Sequence, residues 1–587
     1  MKKFFKSVLA ACLGFFAAIS LIFLFFMLLG GAMGAGKISI EKKSVLKLDF
    51  SNPIPEMSDN VKSGKFDFDR KKSIGLSRIV KLINHAAKDN SIKGILINTS
   101  GVSAGQATIA TIREALIEFK QSDKFIYAYS NTYSQSAYYL ASVADSIYLN
   151  PNGMIDIKGF GTMIPFFKET LEKVGVKMNV FYAGNFKSAT EPFRRTEMSE
   201  PNKIQTKEFL NSILSHYQES VAQSRNITVE DVNNIMTNYS GRNATTSLQS
   251  KLIDRIAYWD QMESVIKSKL DVKLKKKINY VSLGKYNGAA NIKKDTKSKG
   301  KIAVIFAEGT IEYGGKDSKG NITEDKYLEI LEDIAHDKNI DAVVLRVNSG
   351  GGSSLTSDLI WRGIEKVKAA GKPVIASFGD YAASGGYYIS AGADTIVSAP
   401  NTLTGSIGVF MMFPNTSELL NEKLGIHFDD VRTHPMAINM VVSSELSDQE
   451  KEFLQSSVTD IYDIFLKRVA DGRGMTVEAV HEVAQGRVWT GSKALELGLV
   501  DVIGGLNDAI AIAAKSAGVD KYRVKTYPEI KASFMDQMLK SLADNNEFAS
   551  MRIAQSDLQL LEEYNEVKNL ITDRSPQSRL PYIMKFD

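Results

Sequence analysis

The chain has 587 residues, with 72 Lys and Arg against 67 Asp and Glu, a net charge of +5. That length exceeds what one core supports, so two or more domains are expected. The small net charge and the lack of an arginine-rich stripe argue against nucleic acid as a partner. The lone Cys12 excludes disulfides and cysteine-built metal sites, and the six scattered histidines lack spacing such as HExxH, so no metal or other cofactor is expected.

The chain opens MKKFFK and then carries no charge from Ser7 to Gly36. That run is long enough to cross a bilayer, which takes about 20 residues. Its length favours an uncleaved anchor over a cleaved signal peptide, the rival reading that the small residues from Ala32 to Ala35 keep open. Lysines flank both ends, so the positive-inside rule does not set the orientation. Beyond it, residues 45–50 predict a strand, 93–98 another, 107–121 a helix and 124–130 a strand, with alternation again at 145–150. A second series opens with a strand at 301–311 and continues with a strand at 341–349, a helix at 357–371 and strands at 372–378 and 395–398. Strands alternating with helices predict βαβ units and a parallel sheet. Two amphipathic, helix-like stretches, 533–545 and 556–571, follow near the end.

The two series are copies. Residues 127–145 (YAYSNTYSQSAYYLASVAD) align without a gap on 376–394 (ASFGDYAASGGYYISAGAD), shifted by 249. NITVEDV (226–232) pairs with GMTVEAV (474–480), and the stretch at 240–254 with that at 485–501. The boundaries expected are an anchor at 1–36, a first repeat at 45–290, a lysine-rich linker at 291–301, a second repeat at 302–525 and a helical tail at 526–587.

The aligned motif is asymmetric where chemistry is concerned. Ser384, among Ala382, Ala383, Gly385 and Gly386, stands opposite Gln135, which cannot act as a nucleophile. The YYISAGA segment that follows predicts a helix, placing Ser384 at its N-terminus, where free N–H groups favour negative charge. NSGGGSS (348–354) offers a further N–H for an oxyanion hole. A plain glycine-rich turn with a serine cap fits the same residues. A nucleophilic serine needs a base. His434 lies in an ordinary loop. Lys187, flanked by Phe186, Ala189, Pro192 and Phe193, stands opposite Ala437 at a shift of 250. Burial among apolar groups lowers a lysine from about 10.4 toward neutrality. Each copy therefore lacks the group that the other keeps.

The motifs FYAGNFKSATEPF around Lys187, VVLRVNSGGGS (343–353), AASGGYYIS around Ser384 and NTLTGSIGVF (401–410), in this order, resemble the long form of the signal peptide peptidase A (protease IV) family. The resemblance runs from the anchor to about residue 525. It implies an α/β fold of tandem duplicated Clp-protease/crotonase-like domains with an N-terminal transmembrane helix. It implies Ser384 as nucleophile, Lys187 as general base and Ser406 as the serine that orients the lysine. Gly351, Gly352 and Gly385 are the implied oxyanion donors. It further implies signal peptides and other apolar extended peptides as substrates, a homotetramer, and a catalytic domain on the periplasmic face of the bacterial inner membrane. Gly350 departs from the family's usual proline, which would fix φ there. A crotonase-type acyl-CoA enzyme and a catalytically silent membrane scaffold are the competing readings.

Overall fold

The computed structural model describes residues 40–58, 73–290, 292, 298–315, 320–529 and 576–580, together with Gly14. The expected anchor (Gly14 apart), residues 291 and 293–297 of the expected linker, and both amphipathic stretches of the tail lie outside those residues. Among the described residues no helix is long and apolar enough to cross a membrane.

In the first half the apolar runs form β1 (Ser44–Leu48), β2 (Ile92–Ile97), β3 (Phe125–Tyr133), β4 (Ser146–Ile155), β5 (Lys177–Ala183), β6 (Arg255–Ile256) and β7 (Tyr280–Ser282). All but β5 build a parallel sheet in the order β6-β4-β3-β2-β1-β7. Parallel neighbours need crossover connections, and the helices Leu76–Lys88 and Gln106–Lys120 supply two of them.

The second half contributes β8 (Gly300–Glu308), β9 (Thr310–Glu312), β10 (Asn321–Thr323), β11 (Ala342–Ser349), β12 (Gly351–Ser353), β13 (Val374–Ala383), β14 (Thr395–Ser398), β15 (Leu403–Gly405), β16 (Val409–Asn415), β17 (Val488–Thr490), β18 (Val502–Ile503) and β19 (Tyr522–Tyr527). Its main sheet contains the path β18-β14-β13-β11-β8-β19, the order of the first sheet strand for strand.

The repeated residues do the same jobs in both sheets. The closing Ala-Asp of each motif pins a strand end: Asp145 accepts from Ile126 N at 2.8 Å, and Asp394 from Val374 N at 2.8 Å. The paired tyrosines bury their rings, and Tyr138 donates to Leu252 O as Tyr387 donates to Leu499 O, both at 2.8 Å. The helices Glu200–Arg225 and Asp448–Arg473 each end in a left-handed residue, Asn226 at φ 52° and Gly474 at φ 63°. A threonine cap then starts the next helix in both copies.

A third sheet mixes the parts, in the order β10-β9-β12-β20-β16-β5. Here β20 is Gln577–Arg579, so the described end of the tail is a strand. β5 of the first half runs antiparallel to β16 of the second, from Lys177 opposite Asn415 to Ala183 opposite Val409. Glu56 crosses to the second half and grips the Arg346 guanidinium at 2.8 and 3.0 Å, with both residues under 5% exposed. In return Asp380 accepts from Thr108 N and Oγ1 at 2.9 and 2.7 Å, capping the first turn of the helix Gln106–Lys120. Burial pushes the Asp380 carboxyl up, and the two bonds from Thr108 oppose that shift.

Candidate active site

Strand β13 carries the chain to Ser384, whose backbone sits at φ 55°, ψ −117° before the short helix Gly385–Tyr388. The helix is thus one turn at 385–388 rather than the 387–393 segment expected from sequence. A serine with positive φ is strained, and such strain persists where the surroundings hold it. Ser384 N donates to Gly405 O at 2.8 Å, which fixes the turn. The first copy lacks this turn. Its helix begins one residue earlier, at Gln135, after an extended Ser134 at φ −66°. The Gln135 side chain accepts from Lys158 N and Gly159 N at 3.0 and 2.9 Å, so it braces a loop.

Lys187 arrives from the loop after β5 and is 1% exposed. Its Nζ lies 2.8 Å from Ser384 Oγ, 3.1 Å from Ser406 Oγ and 3.1 Å from Ser406 O. A neutral amine has two N–H donors and one lone pair. The three oxygens match that set when the amine donates twice to Ser406 and accepts the Ser384 proton. Burial alone lowers the Lys187 ammonium from 10.5 to about 7, with no neighbouring carboxylate opposing it. Ser406 holds its position at φ 50°, with its N–H donating to Arg487 O at 2.7 Å.

Sequence reading missed the residues that seat the lysine loop. Gln205 donates to Phe186 O and Ser188 Oγ at 3.1 Å, and accepts from Val488 N at 3.1 Å across the halves. Gly486, at φ +78°, lies so close that a Cβ there would stand 2.7 Å from the Lys187 backbone. Only glycine fits. The sequence signal was the GR pair shared by the aligned stretches at 240–254 and 485–501, which gave no hint of a lysine partner.

Gly351 lies against Gly385, the residue after Ser384, with a Cβ built on Gly351 2.7 Å from Gly385 N; Gly352 follows Gly351 in β12, and all three are buried. The Gly351 N–H is engaged by Ser349 Oγ at 3.1 Å, and Gly352 pairs with Ser578 of β20. Gly350 stays out of the left-handed region, and a Cβ there would make an ordinary 3.4 Å contact with Leu580. His434 is exposed, and its Nδ1 lies 3.2 Å from the neighbouring Thr433 Oγ1, in the stretch where Ala437 aligns with Lys187. Among the described residues no group of His, Cys, Asp and Glu is arranged to hold a metal ion.

The pattern of peptidase family S49 matches residues 118–273 and again 366–520, more than half of the chain. The chain belongs to peptidase family S49. It is a serine peptidase with the family's domain present twice. Protease 4 of Salmonella typhi is 35% identical over 548 residues, covering 89% of this chain and 88% of that one. Protease 4 of Haemophilus influenzae is 34% identical over 526 residues, covering 85% and 84%. A protein named putative signal peptide peptidase SppA from Enterococcus faecium is 35% identical over 261 residues, covering 43% of this chain and 76% of that one. Lys187 and Gln135 fall in the first S49 match, and Ser384, Ser406 and Ala437 in the second.

Proposed function

We propose that this S49 peptidase is a membrane-anchored endopeptidase that degrades cleaved signal peptides and other apolar, extended peptides with a Ser384–Lys187 dyad. The observation that carries the reading is the 2.8 Å approach of a buried lysine amine to a serine hydroxyl on the other repeat. Lys187 accepts the Ser384 proton as Oγ attacks the peptide carbonyl. Ser406 orients the amine. The N–H groups of Gly352 and Gly385, with Gly351 shaping the loop, receive the oxyanion. The lysine then protonates the leaving amine, and water releases the acyl group.

The relative named for signal peptides supports that substrate class. The uncharged run Ser7–Gly36 supports an anchor at 1–36 in the bacterial inner membrane, with the catalytic part on the periplasmic face. Within this reading, repeats 45–290 and 302–525 each follow the Clp-protease/crotonase plan, and four chains assemble as a homotetramer. Fluorophosphonate labelling, together with hydrolysis of a synthetic signal peptide, tests the dyad. Wild type is labelled at Ser384 and cuts the peptide, whereas Lys187→Ala folds but does neither at a comparable rate. A Lys187→Ala variant with wild-type turnover would overturn the assignment.

A further inference from the structure

The lysine loop carries a second buried charged group. The carboxylate of Glu191 is 1% exposed. Ser199 N and Oγ donate to it, and Asn202 Nδ2 donates to its Oε2 at 2.9 Å. Arg194 Nη2 stands 3.8 Å from Oε1. Each of these groups is a donor, and the dyad chemistry gives the carboxylate no task.

From Asn202 the contacts run back to the base. Asn202 Oδ1 lies 3.1 Å from Gln205 Nε2, which also donates to Phe186 O and Ser188 Oγ, while Gln205 Oε1 accepts from Val488 N of β17. Phe186 O belongs to the peptide bond that leads into Lys187. Ser188, Asn202 and Gln205 are all buried. A side-chain amide has a donor end and an acceptor end, so along this relay the direction of one bond decides the next. Asn202 turns its nitrogen to the Glu191 carboxylate, which leaves its oxygen for Gln205. Gln205 then turns its nitrogen to Phe186 O, which leaves its oxygen for the Val488 N–H. With both amides reversed, Gln205 would set oxygen against the Phe186 carbonyl and N–H against the Val488 N–H, and buried polar groups left unpaired are costly.

The two copies differ here as they differ at the base. Ser199 and Ser447 cap the long helices Glu200–Arg225 and Asp448–Arg473. Counted from those caps, Asn202 corresponds to Glu450 and Gln205 to Phe453. Glu450 bonds back to its own cap, 2.8 Å from Ser447 N and 2.7 Å from Ser447 Oγ, and Phe453 is 53% exposed with no polar side-chain group to offer. A carboxylate thus serves the helix start in either copy. The amides behind it are present in the copy that has a lysine to hold, and absent where Ala437 stands opposite Lys187.

We infer that Glu191 is a positioning residue for the base: its carboxylate sets the direction of the Asn202–Gln205 relay and so fixes the Phe186–Lys187 peptide from which the amine projects. The inference rests on the dyad proposed above. Glu191 acts on the place of the amine and not through its charge, since burial alone accounts for the lowered Lys187 value.

Steady-state hydrolysis of a synthetic signal peptide by the full chain in detergent, with thermal unfolding of the same samples, tests this. Glu191→Gln keeps the shape but brings a donor against Asn202 or Ser199, so kcat should fall about tenfold or more with KM changed less than about twofold. Combining Glu191→Gln with Asn202→Asp moves the carboxylate one step along the relay. The new amide then donates to the new carboxylate, which accepts from Gln205 as Asn202 did. That double variant should recover kcat to within about threefold of wild type, a rescue that a purely space-filling role would not give. Glu450→Gln weakens the corresponding cap of the other copy and should lower the melting temperature with kcat unchanged. Glu191→Gln at wild-type kcat, or a folded double variant no faster than the single one, would overturn the inference. Should Glu191→Gln not fold, the double variant decides alone, and its failure to fold or to approach the wild-type kcat overturns the inference as well. Lys187→Ala measured alongside separates the two readings. If it is inactive, a failed rescue counts against Glu191 and leaves the dyad standing; if it turns over like wild type, the dyad falls and the inference with it.

Discussion

The depressed Lys187 amine makes a quantitative demand on the pH profile. A lysine at about 7 is half neutral at pH 7, whereas at its ordinary value of 10.5 about one molecule in 3,000 would hold the free base. The kcat/KM of the wild type should therefore fall about tenfold per pH unit below 7 and level off above it. Ser406→Asp provides the perturbation. Residue 406 sits at φ 50°, a conformation that aspartate tolerates, and its side-chain oxygen lies 3.1 Å from Nζ. A carboxylate at that distance attracts the ammonium by about 5 kcal/mol at an effective dielectric near 20. Desolvation of the new carboxylate offsets about half, leaving about 2.5 kcal/mol, or a limb moved up by about two pH units. Initial rates of signal-peptide hydrolysis from pH 5 to 10 measure both limbs. A wild-type rate still climbing tenfold per unit at pH 9, or a Ser406→Asp limb unmoved from the wild-type position, would refute lysine as the titrating base.

Three further outcomes follow from contacts between the halves. Ser406→Ala removes one of the two Ser406 oxygens 3.1 Å from the amine and should lower kcat about tenfold or more with KM little changed, read from saturation curves. Gly486→Ala adds a methyl 2.7 Å from the Lys187 backbone at φ +78°, so it should cost at least a tenfold loss in kcat while the melting temperature shifts far less than in the next variant. Glu56→Ala leaves the Arg346 charge buried without its carboxylate. About 3–5 kcal/mol of stability should go, seen as an early thermal transition, and a change under about 1 kcal/mol would contradict the burial of the pair.

Much of the parallel sheet was legible because its strands are short apolar runs broken by turn residues. β2 is expected at 93–98 and found at Ile92–Ile97, and β14 is found at its expected bounds. The juxtaposition of Lys187 with Ser384 was reachable because the two copies could be laid over each other and each lacked one group. What stayed hidden depends on pairing between distant segments. Among the described residues β5 finds its partner only in β16, more than 200 residues away, and its counterpart in the second copy, around 427–433, forms no strand. Gln205 is a polar residue on a long helix until Val488 comes to meet it. Residues 576–580 contain a proline and little apolar character, so they carry no strand signal of their own. They are a strand because the edges of β12 and β16 provide one on either side.

The proposed split of base and nucleophile between the copies gives the firmly built interface a chemical role. Lys187 is lowered by burial alone, and the surfaces that bury it include Ser384, Ser406 and Gly486 of the other half. Were the halves to separate, water would return to the amine and its value would rise back toward 10.5. The free-base fraction at neutral pH would then fall by about a thousandfold before any loss of geometry is counted. Docking of the repeats therefore both places the proposed base and keeps it partly unprotonated at neutral pH. The buried Glu56–Arg346 pair, the Asp380 cap on the Thr108 helix and the seven-residue β5–β16 ladder hold closed the contact on which the lysine's free-amine fraction at neutral pH depends.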